Sequence, residues 1–186
     1  MSSIPPITQK LTEQARLNPG GWVYAIDPEY DPRGQVPPYG VVGAWKVDDF
    51  GQLAEFLENP SYRPSAAALE WREPATQLEQ VLQLVATGRL PDAKLVELFL
   101  TERVWIYGGH EGSVYVAPSE SGGRVIGAFT DEGLIPAGEQ TSPEQLVGRQ
   151  LVEMLPDDVS IVVNPGHVPC ARLDLDQLRS ALDAMA

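Results

Sequence analysis

Hydrophobic and polar residues alternate over short stretches of this chain, and the pattern predicts many β-strands. Runs of β-branched and aromatic residues bounded by Gly, Pro, Asn or Asp are typical of strands. They predict strands over residues 22–26, 41–47, 53–57, 104–107, 113–117, 124–129, 159–163 and 169–173. Glycine-rich connections at 108–112 and 120–123 predict that strands 104–107, 113–117 and 124–129 form an antiparallel meander.

Other stretches carry apolar residues at helical spacing, and capping residues mark where these helices begin. Thr76 with Glu79 matches a capping box, in which a hydroxyl and a carboxylate accept from backbone N–H groups. Ser142, followed by Pro143 and Gln145, predicts in the same way a helix over residues 142–155. Further helices are predicted over residues 7–17, 76–88, 91–100 and 174–185.

These elements together predict an α+β fold with mainly antiparallel sheets and flanking helices. A Pro- and Ala-containing connector near residues 62–74 suggests two parts. Residues 1–72 would form an N-terminal helix plus a β-hairpin segment with a Pro-rich loop, and residues 73–186 a second domain. The alternative is one compact unit, since 186 residues can form one good core or two small ones.

Two pairs of stretches in the chain resemble each other. Trp22-Val-Tyr24 is similar to Trp105-Ile-Tyr107, 83 positions later. Val41-Val-Gly-Ala-Trp45 is similar to Val125-Ile-Gly-Ala-Phe129, 84 positions later. The nearly equal offsets suggest two related hairpins packed on or beside one another, but a coincidence among common strand sequences is the preferred interpretation.

The charge balance changes the list of possible partners. Asp and Glu number 26 against 13 Lys and Arg, which gives a formal net charge of −13. A field of this sign repels phosphate groups, so nucleic acid and anionic membrane surfaces are poor partner candidates. The simplest interpretation is that the acidic surface keeps the protein soluble.

The N-terminal residues show neither the charged start nor the apolar run of a signal peptide. The longest apolar stretches, such as residues 159–163, are far shorter than the roughly 20 residues that a membrane-spanning helix requires. We therefore expect a cytoplasmic protein without direct membrane insertion.

Candidate metal ligands are too few at each place where they occur. His167 and Cys170 lie three positions apart, but their neighbours supply no further ligand. Cys170 is the single cysteine, and it lies in a predicted strand, so we expect a buried structural thiol.

Asp27, Glu29 and Asp31 alternate like the first ligands of an EF-hand. Prolines occupy the sixth and twelfth positions, where that loop needs Gly and Glu. A solvated acidic loop is the expectation here.

Catalytic motifs are equally scarce. His110 lies beside Glu111 in a glycine-rich turn, where it is either a general base or an ordinary exposed polar residue. The sequence contains no Walker loop, dinucleotide fingerprint, Gly-x-Ser-x-Gly or His-Glu-x-x-His motif. We predict no catalytic, cofactor-binding or metal-binding residues, and therefore a protein that is not an enzyme.

The loop over residues 27–40 is the best candidate for partner binding. At about 14 residues it is long for a connection between adjacent strands. Its prolines reduce the freedom that is lost on binding, and tyrosines are common at interface hot spots. We predict that Tyr30, Pro37, Pro38 and Tyr39 contact a protein partner, with the tyrosines as anchors. The alternative is that both tyrosines pack onto the protein's own sheet.

Several segments after residue 94 follow one another in a recognisable order. They are Val125-Ile-Gly-Ala-Phe129-Thr-Asp131, the predicted helix 142–155, Val159-Ser-Ile-Val-Val-Asn-Pro-Gly166 and Leu173-Asp-Leu-Asp-Gln-Leu178. In this order and spacing the chain resembles the SseB family of bacterial proteins. The resemblance implies an SseB-like C-terminal domain, and the family supplies no established catalytic residues.

The N-terminal part resembles a second group. Its segments Trp22-Val-Tyr-Ala-Ile-Asp-Pro28, Gly40-Val-Val-Gly-Ala-Trp45 and Asn59-Pro-Ser-Tyr-Arg-Pro64 are similar to actinobacterial proteins associated with type VII secretion. Those proteins carry such a segment ahead of an SseB-like domain. The resemblance implies a cytosolic accessory protein that binds a component or client of the secretion system.

A secreted substrate is a poorer match. Type VII substrates resemble helical hairpins with a Trp-x-Gly turn, which this sequence lacks. Two rival functions remain: a small-molecule-sensing regulatory domain with an apolar pocket beside the sheet, or an uncharacterised enzyme using His110 or Cys170. Sensing predicts an enclosed cavity, and catalysis predicts titratable groups clustered in a cleft.

Overall fold

The computed structural model describes residues 4–108, 114–118, 123–136 and 143–185. The chain divides into two compact units, Met1–Arg72 and Glu73–Ala186. Helices and mainly antiparallel sheets occur together, so the α+β fold expected from the periodicity is confirmed.

The first unit is built on a three-stranded antiparallel sheet. Its strands lie in the order β1 (Trp22–Ile26), β2 (Val41–Val47), β3 (Leu53–Glu58), close to the predicted stretches. Burial alternates along β1, where Val23 and Ala25 are buried and their neighbours are more exposed. One face of the sheet therefore packs inward.

The helix of the first unit, α1 (Gln9–Arg16), packs on that inner face. Its start is capped by the Thr8 hydroxyl, which accepts the Leu11 N–H at 3.3 Å. Ala15 of the helix is fully buried and forms a small core with Val23 and Val47.

The second unit contains a six-stranded sheet and four helices among its described residues. The helices are α2 (Gln77–Ala86), α3 (Asp92–Thr101), α4 (Gly148–Met154) and α5 (Leu175–Met185). The strands are β4 (Arg103–Tyr107), β5 (Ala117–Pro118), β6 (Arg124–Phe129), β7 (Pro143–Val147), β8 (Val159–Val163) and β9 (Ala171–Leu173).

The strand order in this sheet is β7-β4-β6-β8-β9, with β5 paired to β6. All pairs are antiparallel except β6 with β8. β4 pairs directly with β6, through Trp105 opposite Phe129 and Ile106 opposite Ala128. The predicted meander is confirmed only in part. Gly108 pairs antiparallel with Val114, and β5 pairs antiparallel with β6, but the predicted middle strand is reduced to Ala117–Pro118 and β4 also pairs directly with β6. Turn residues mark where strands end but not which distant strands become neighbours.

The helix predicted over residues 142–155 is also wrong in its first part. Pro143–Val147 forms β7, which pairs with all five residues of β4. The pairing with β4 outweighs a local capping pattern, and Pro is tolerated because it is the first residue of an edge strand. The helix begins only at Gly148, where a Cβ would lie 1.8 Å from the Phe99 carbonyl oxygen.

The capping box at the start of α2 is confirmed in a modified form. The Thr76 hydroxyl accepts the Glu79 N–H at 3.2 Å. The Glu79 carboxylate accepts the N–H of Ala75 at 2.9 Å, one residue before the position expected. Gly88 ends the helix at a φ of +68°, where a side chain would be strained.

The core of the second unit lies between the helices and one face of the sheet. Leu82, Phe99, Ile106, Leu151 and Ile161 are all completely buried in one cluster. Burying each such side chain contributes about 2 kcal/mol. The opposite face carries aromatic residues, with the Tyr107 and Phe129 rings edge to face at 5.4 Å.

Candidate protein-binding loop

The loop over residues 27–40 joins β1 to β2, and Asp27 ties its two ends together. The Asp27 side chain is completely buried. One carboxylate oxygen accepts the Glu29 N–H at 3.0 Å, and the other accepts the Tyr62 hydroxyl at 2.9 Å and the Ser65 N–H at 2.8 Å. The Asp27 N–H donates to the carbonyl of Gly40 at 2.9 Å, which closes the loop at its neck.

The environment of Asp27 favours the charged carboxylate. Burial raises the pKa of Asp27, but hydrogen bonds from Ser65, Glu29 and Tyr62 outweigh it and hold the pKa below its usual range. The expectation of a solvated acidic loop is therefore wrong at Asp27, although Glu29 and Asp31 are exposed. A buried carboxylate is stable here because donors surround it.

The second half of the loop is held by Asn59, which follows β3. Its Nδ2 donates to the carbonyl oxygens of Pro38 and Val41, each at 2.7 Å. The Arg63 N–H donates to the Tyr39 carbonyl at 3.0 Å. Residues 59–65 thus support the loop with both backbone and side-chain groups.

The two tyrosines of the loop contact each other. The rings of Tyr30 and Tyr39 lie 6.4 Å apart in an edge-to-face arrangement. Tyr30 is half-buried over Gly40, where a Cβ would come within 2.6 Å of its ring. Tyr39 is 39% exposed. The half-buried ring of Tyr30 therefore lies beside the more exposed ring of Tyr39 and supports it.

The prolines next to Tyr39 complete the surface of the loop. Pro38 is exposed and Pro37 is half-buried. A single turn of 3-10 helix, Pro38–Gly40, leads into β2. Pro38 and Tyr39 form an exposed ridge on a loop whose backbone is already ordered.

The structure does not form a catalytic or metal site from the remaining candidate residues that it describes, Cys170 and His167. Cys170 is exposed and precedes β9, so the expectation of a buried thiol within a strand is wrong. His167 Nε2 lies 2.7 Å from the Leu134 carbonyl oxygen. Among the described residues no group of His, Cys, Asp and Glu is placed to hold a metal ion. His110 lies outside the described residues.

Sequence reasoning missed the residues that support the loop. Asn59, Tyr62 and Ser65 lie in a stretch that reads as a turn and a connector. The available signal is weak: Asn and Ser are common in turns because their side chains bond to nearby backbone. Here their partners are 18 to 38 positions away, a distance that no local pattern encodes.

The second unit carries two clefts beside the end of α5. One, of about 680 Å³, is lined by Leu100, Thr101, Val147, Arg149, Gln150, Glu153, Leu182 and Met185. The other, of about 580 Å³, lies among α2, α3 and α5, with Val81, Leu90, Leu98 and Ala181 in its walls. Both open to the surface between helices, whereas sensing predicts an enclosed cavity.

In the parts of the chain that the structure describes, no helix has the length and apolar character needed to cross a bilayer.

Comparison with known proteins places the second unit in a family. No curated protein and no solved structure matches the chain. The family model of the SseB protein N-terminal domain matches residues 78–180, which is more than half of the chain. The match begins in α2 and ends in α5, and it confirms the resemblance seen in the sequence. The chain belongs to the SseB family.

Proposed function

We propose that this SseB-family protein is a non-enzymatic cytoplasmic accessory protein of type VII secretion. It binds a protein component or client of that system through the loop over residues 27–40. The secretion assignment rests on the resemblance of the segments around Trp22, Gly40 and Asn59 to actinobacterial proteins of that group.

The binding role is inferred from one observation: the exposed Tyr39 lies on a loop whose backbone is held in place by buried and half-buried hydrogen bonds. Asp27 and Asn59 fix the backbone of the loop, while Tyr39 and Pro38 stay exposed. An ordered loop loses little conformational entropy on binding, so more of the contact energy appears as affinity. A tyrosine on such a loop offers large contact area with a polar tip.

The charges around the ridge favour a polar or basic partner surface. Glu29 and Asp31 are exposed on the loop together with one cation, Arg33, and the whole chain carries a net charge of −13. Complementary charges at the periphery of an interface mainly raise the association rate, and salt screens this attraction. Raising the salt concentration should therefore slow partner binding.

The test is recovery of partners from the native host by tagged Tyr39→Ala protein. Phe50→Ala is the matched control, since Phe50 is an exposed aromatic residue in the turn that joins β2 to β3. We expect Tyr39→Ala to lose at least one partner that wild type and Phe50→Ala both recover. A folded Tyr39→Ala protein that recovers every partner would contradict the role of the loop.

The enzyme hypothesis makes a different prediction. A nucleophilic role requires the Cys170 sulfur, whereas a binding role does not. We expect Cys170→Ser protein to recover the same partners as wild type and to support secretion equally. Loss of secretion with a folded Cys170→Ser protein would favour an enzyme.

Small-molecule sensing is the second candidate. The cleft among α2, α3 and α5 is open and not the enclosed cavity that sensing predicts, but its largely apolar lining suits a small apolar molecule. A ligand held there would stabilise the second unit by mass action. A thermal-shift screen of small apolar molecules, with Leu98→Glu as the variant that blocks the cleft, tests it. A stabilising molecule that loses its effect in Leu98→Glu protein would establish sensing.

A further inference from the structure

The first unit leaves one edge of its sheet without charged residues. β1 is an outer strand of the sheet and contains only apolar and aromatic residues. The opposite edge strand, β3, carries Glu55 and Glu58. Charge on an edge strand discourages pairing with another chain, whereas an uncharged edge favours it.

The hydrogen bonds of the β1–β2 hairpin show which groups of β1 bond to β2. The Val47 N–H donates to the Gly21 carbonyl at 2.9 Å. Bonded pairs in an antiparallel ladder alternate, so Val23 and Ala25 are the next residues of β1 whose backbone groups face β2. The bulge near Ala25 lies on β2, and β1 itself remains regular.

The backbone N–H and C=O groups of Trp22, Tyr24 and Ile26 consequently point outward from the sheet edge. Asn18 supports this direction, because its Nδ2 donates to the Trp22 carbonyl at 3.1 Å from outside the ladder. A strand that pairs with Trp22 would replace this bond, whereas the central residue Tyr24 is not involved in it. Tyr24 is the central residue of this edge, and 59% of it is exposed.

An open cleft of about 390 Å³ runs along the same edge. Its walls are formed by Gln14, Leu17, Asn18, Trp22, Val23, Tyr24, Ile26 and Pro32. Leu17, at the end of α1, is 86% exposed. The edge therefore combines outward backbone groups with a cleft whose lining is largely apolar.

We propose that β1 pairs with β1 of a second copy of this chain, antiparallel and centred on Tyr24. In this register Tyr24 lies opposite its counterpart and exchanges two backbone hydrogen bonds with it. Trp22 lies opposite Ile26 of the second copy. The two three-stranded sheets join into one continuous sheet of six strands.

A second copy fits this edge because the strand is complementary to itself. The outward residues Trp22, Tyr24 and Ile26 are evenly spaced around the centre, so a two-fold axis pairs them all. None is charged, so no like charges meet across the axis, and aromatic and apolar cross-strand pairs are favourable. Self-pairing at β3 would bring Glu residues of two copies together.

The dimer is expected to be weak and to depend on concentration. A pair of five-residue strands buries less than the roughly 1,200 Å² of a typical stable interface. Dimerisation also presents two copies of the loop over residues 27–40, which raises avidity for a partner with two matching sites. The proposal itself does not depend on the function of that loop.

The first test is sedimentation velocity over a concentration range of about a hundredfold, which brackets a weak association. We expect wild type to shift from monomer to dimer, and Tyr24→Lys to stay monomeric. Leu57→Lys is the matched control, since Leu57 is 50% exposed on the other edge strand, and it should dimerise like wild type. A wild type that stays monomeric, or a dimer that persists in Tyr24→Lys, overturns the proposal.

The second test reports the register, and it traps the dimer even where only a small fraction of the chains is paired. In a Cys170→Ser background, Tyr24→Cys should form an intermolecular disulfide on oxidation, because residues paired across the axis lie about 5.5 Å apart at Cα. Leu57→Cys should form little. Equal cross-linking of both variants contradicts the register. Protection of the β1 amides only when a different protein is added would show a heterologous strand instead of a second copy.

Discussion

The two similar hairpin sequences of this chain are placed very differently in its two units. In the first unit β1 and β2 pair over five positions, and β1 is left at the edge of the sheet. In the second unit β4 pairs with β6 at only two positions and has β7 on its other side. Similar strands thus become an open edge in one sheet and an interior strand in the other.

The pairing register separates the two hairpins further. Val23 lies opposite Trp45 in the first unit, whereas Ile106 lies opposite Ala128 in the second. The counterpart of Trp45 in sequence is Phe129. Trp45 pairs with the inward-facing Val23, whereas Phe129 pairs with Trp105, one position away from the inward-facing Ile106. Phe129 therefore lies on the face of its sheet that points away from the helices. A shift of one residue moves a whole strand pattern to the opposite face. The similar sequences therefore share the burial of Val23 and Ile106, but not the face on which Trp45 and Phe129 lie.

The largest expected effect comes from removing the two corresponding aromatic residues. Trp45 and Phe129 are both buried, although they lie on different faces of their hairpins. Trp45→Ala and Phe129→Ala should each lower the free energy of unfolding by about 3–5 kcal/mol. Urea unfolding followed by circular dichroism measures this, with exposed Phe50→Ala as the control. A loss below about 1 kcal/mol at either site would show that its face is not packed.

Gly43 of β2 and Gly127 of β6 occupy corresponding positions in the two similar sequences, but they have different surroundings. A Cβ on Gly43 would lie 2.4 Å from the Leu57 carbonyl oxygen, whereas a Cβ on Gly127 would lie 3.0 Å from the Pro165 ring. Gly43→Ala should cost about 3 kcal/mol and Gly127→Ala about 1 kcal/mol or less. The same unfolding assay measures both variants, and an equal cost would mean that the two positions are equivalent after all.

Asp27 follows β1 directly, and the corresponding position after β4 is His110, outside the described residues. Asp27→Asn should cost about 2 kcal/mol at neutral pH, because buried donors lose a charged acceptor. The pKa of Asp27 lies below its ordinary value of 3.8, so its contribution is complete above that value. It is lost as the pH falls through the lowered pKa.

The pH dependence separates this contribution from that of other carboxylates. Unfolding is measured from neutral pH to below pH 3.8 for wild type and Asp27→Asn. The difference in stability between the two proteins should shrink as the pH falls. A difference that stays constant with pH would mean that the charge of Asp27 contributes nothing.

The smallest effect is expected at Tyr24, the central residue of β1, and it contrasts with Trp105, the central residue of β4. Tyr24→Lys should change stability by less than about 0.5 kcal/mol at low protein concentration, because the side chain is exposed. Trp105→Lys should cost about 1 kcal/mol or more, since Trp105 is half-buried on an interior strand. Thermal unfolding of the two variants measures the contrast, and a larger loss at Tyr24 would reverse it.

Local sequence patterns were sufficient for elements that depend on their own residues. The strands of the first unit lie where β-branched and aromatic runs predict them, and the start and end of α2 follow from Thr76 and Gly88. The loop over residues 27–40 was visible as a long proline-rich connection. Its two tyrosines contact each other, but nothing local indicated that Tyr30 would cover Gly40.

Elements that depend on distant partners could not be read in this way. Pro143–Val147 carries a good helix start, yet it is a strand because all of β4 lies beside it. Asp27 looks like a solvated acid, yet it is buried because Tyr62 and Ser65 donate to it.

The sequence by itself determined the fold class, most element positions and the family of this chain, because periodicity, caps and turns act over a few residues. Only the tertiary structure decided the order of strands in the second sheet, the face on which Trp45 and Phe129 lie, and the support beneath Tyr39. Those features arise from pairing and packing between residues far apart in the chain. Their free energy depends on which surfaces meet, and a local pattern contains no information about that.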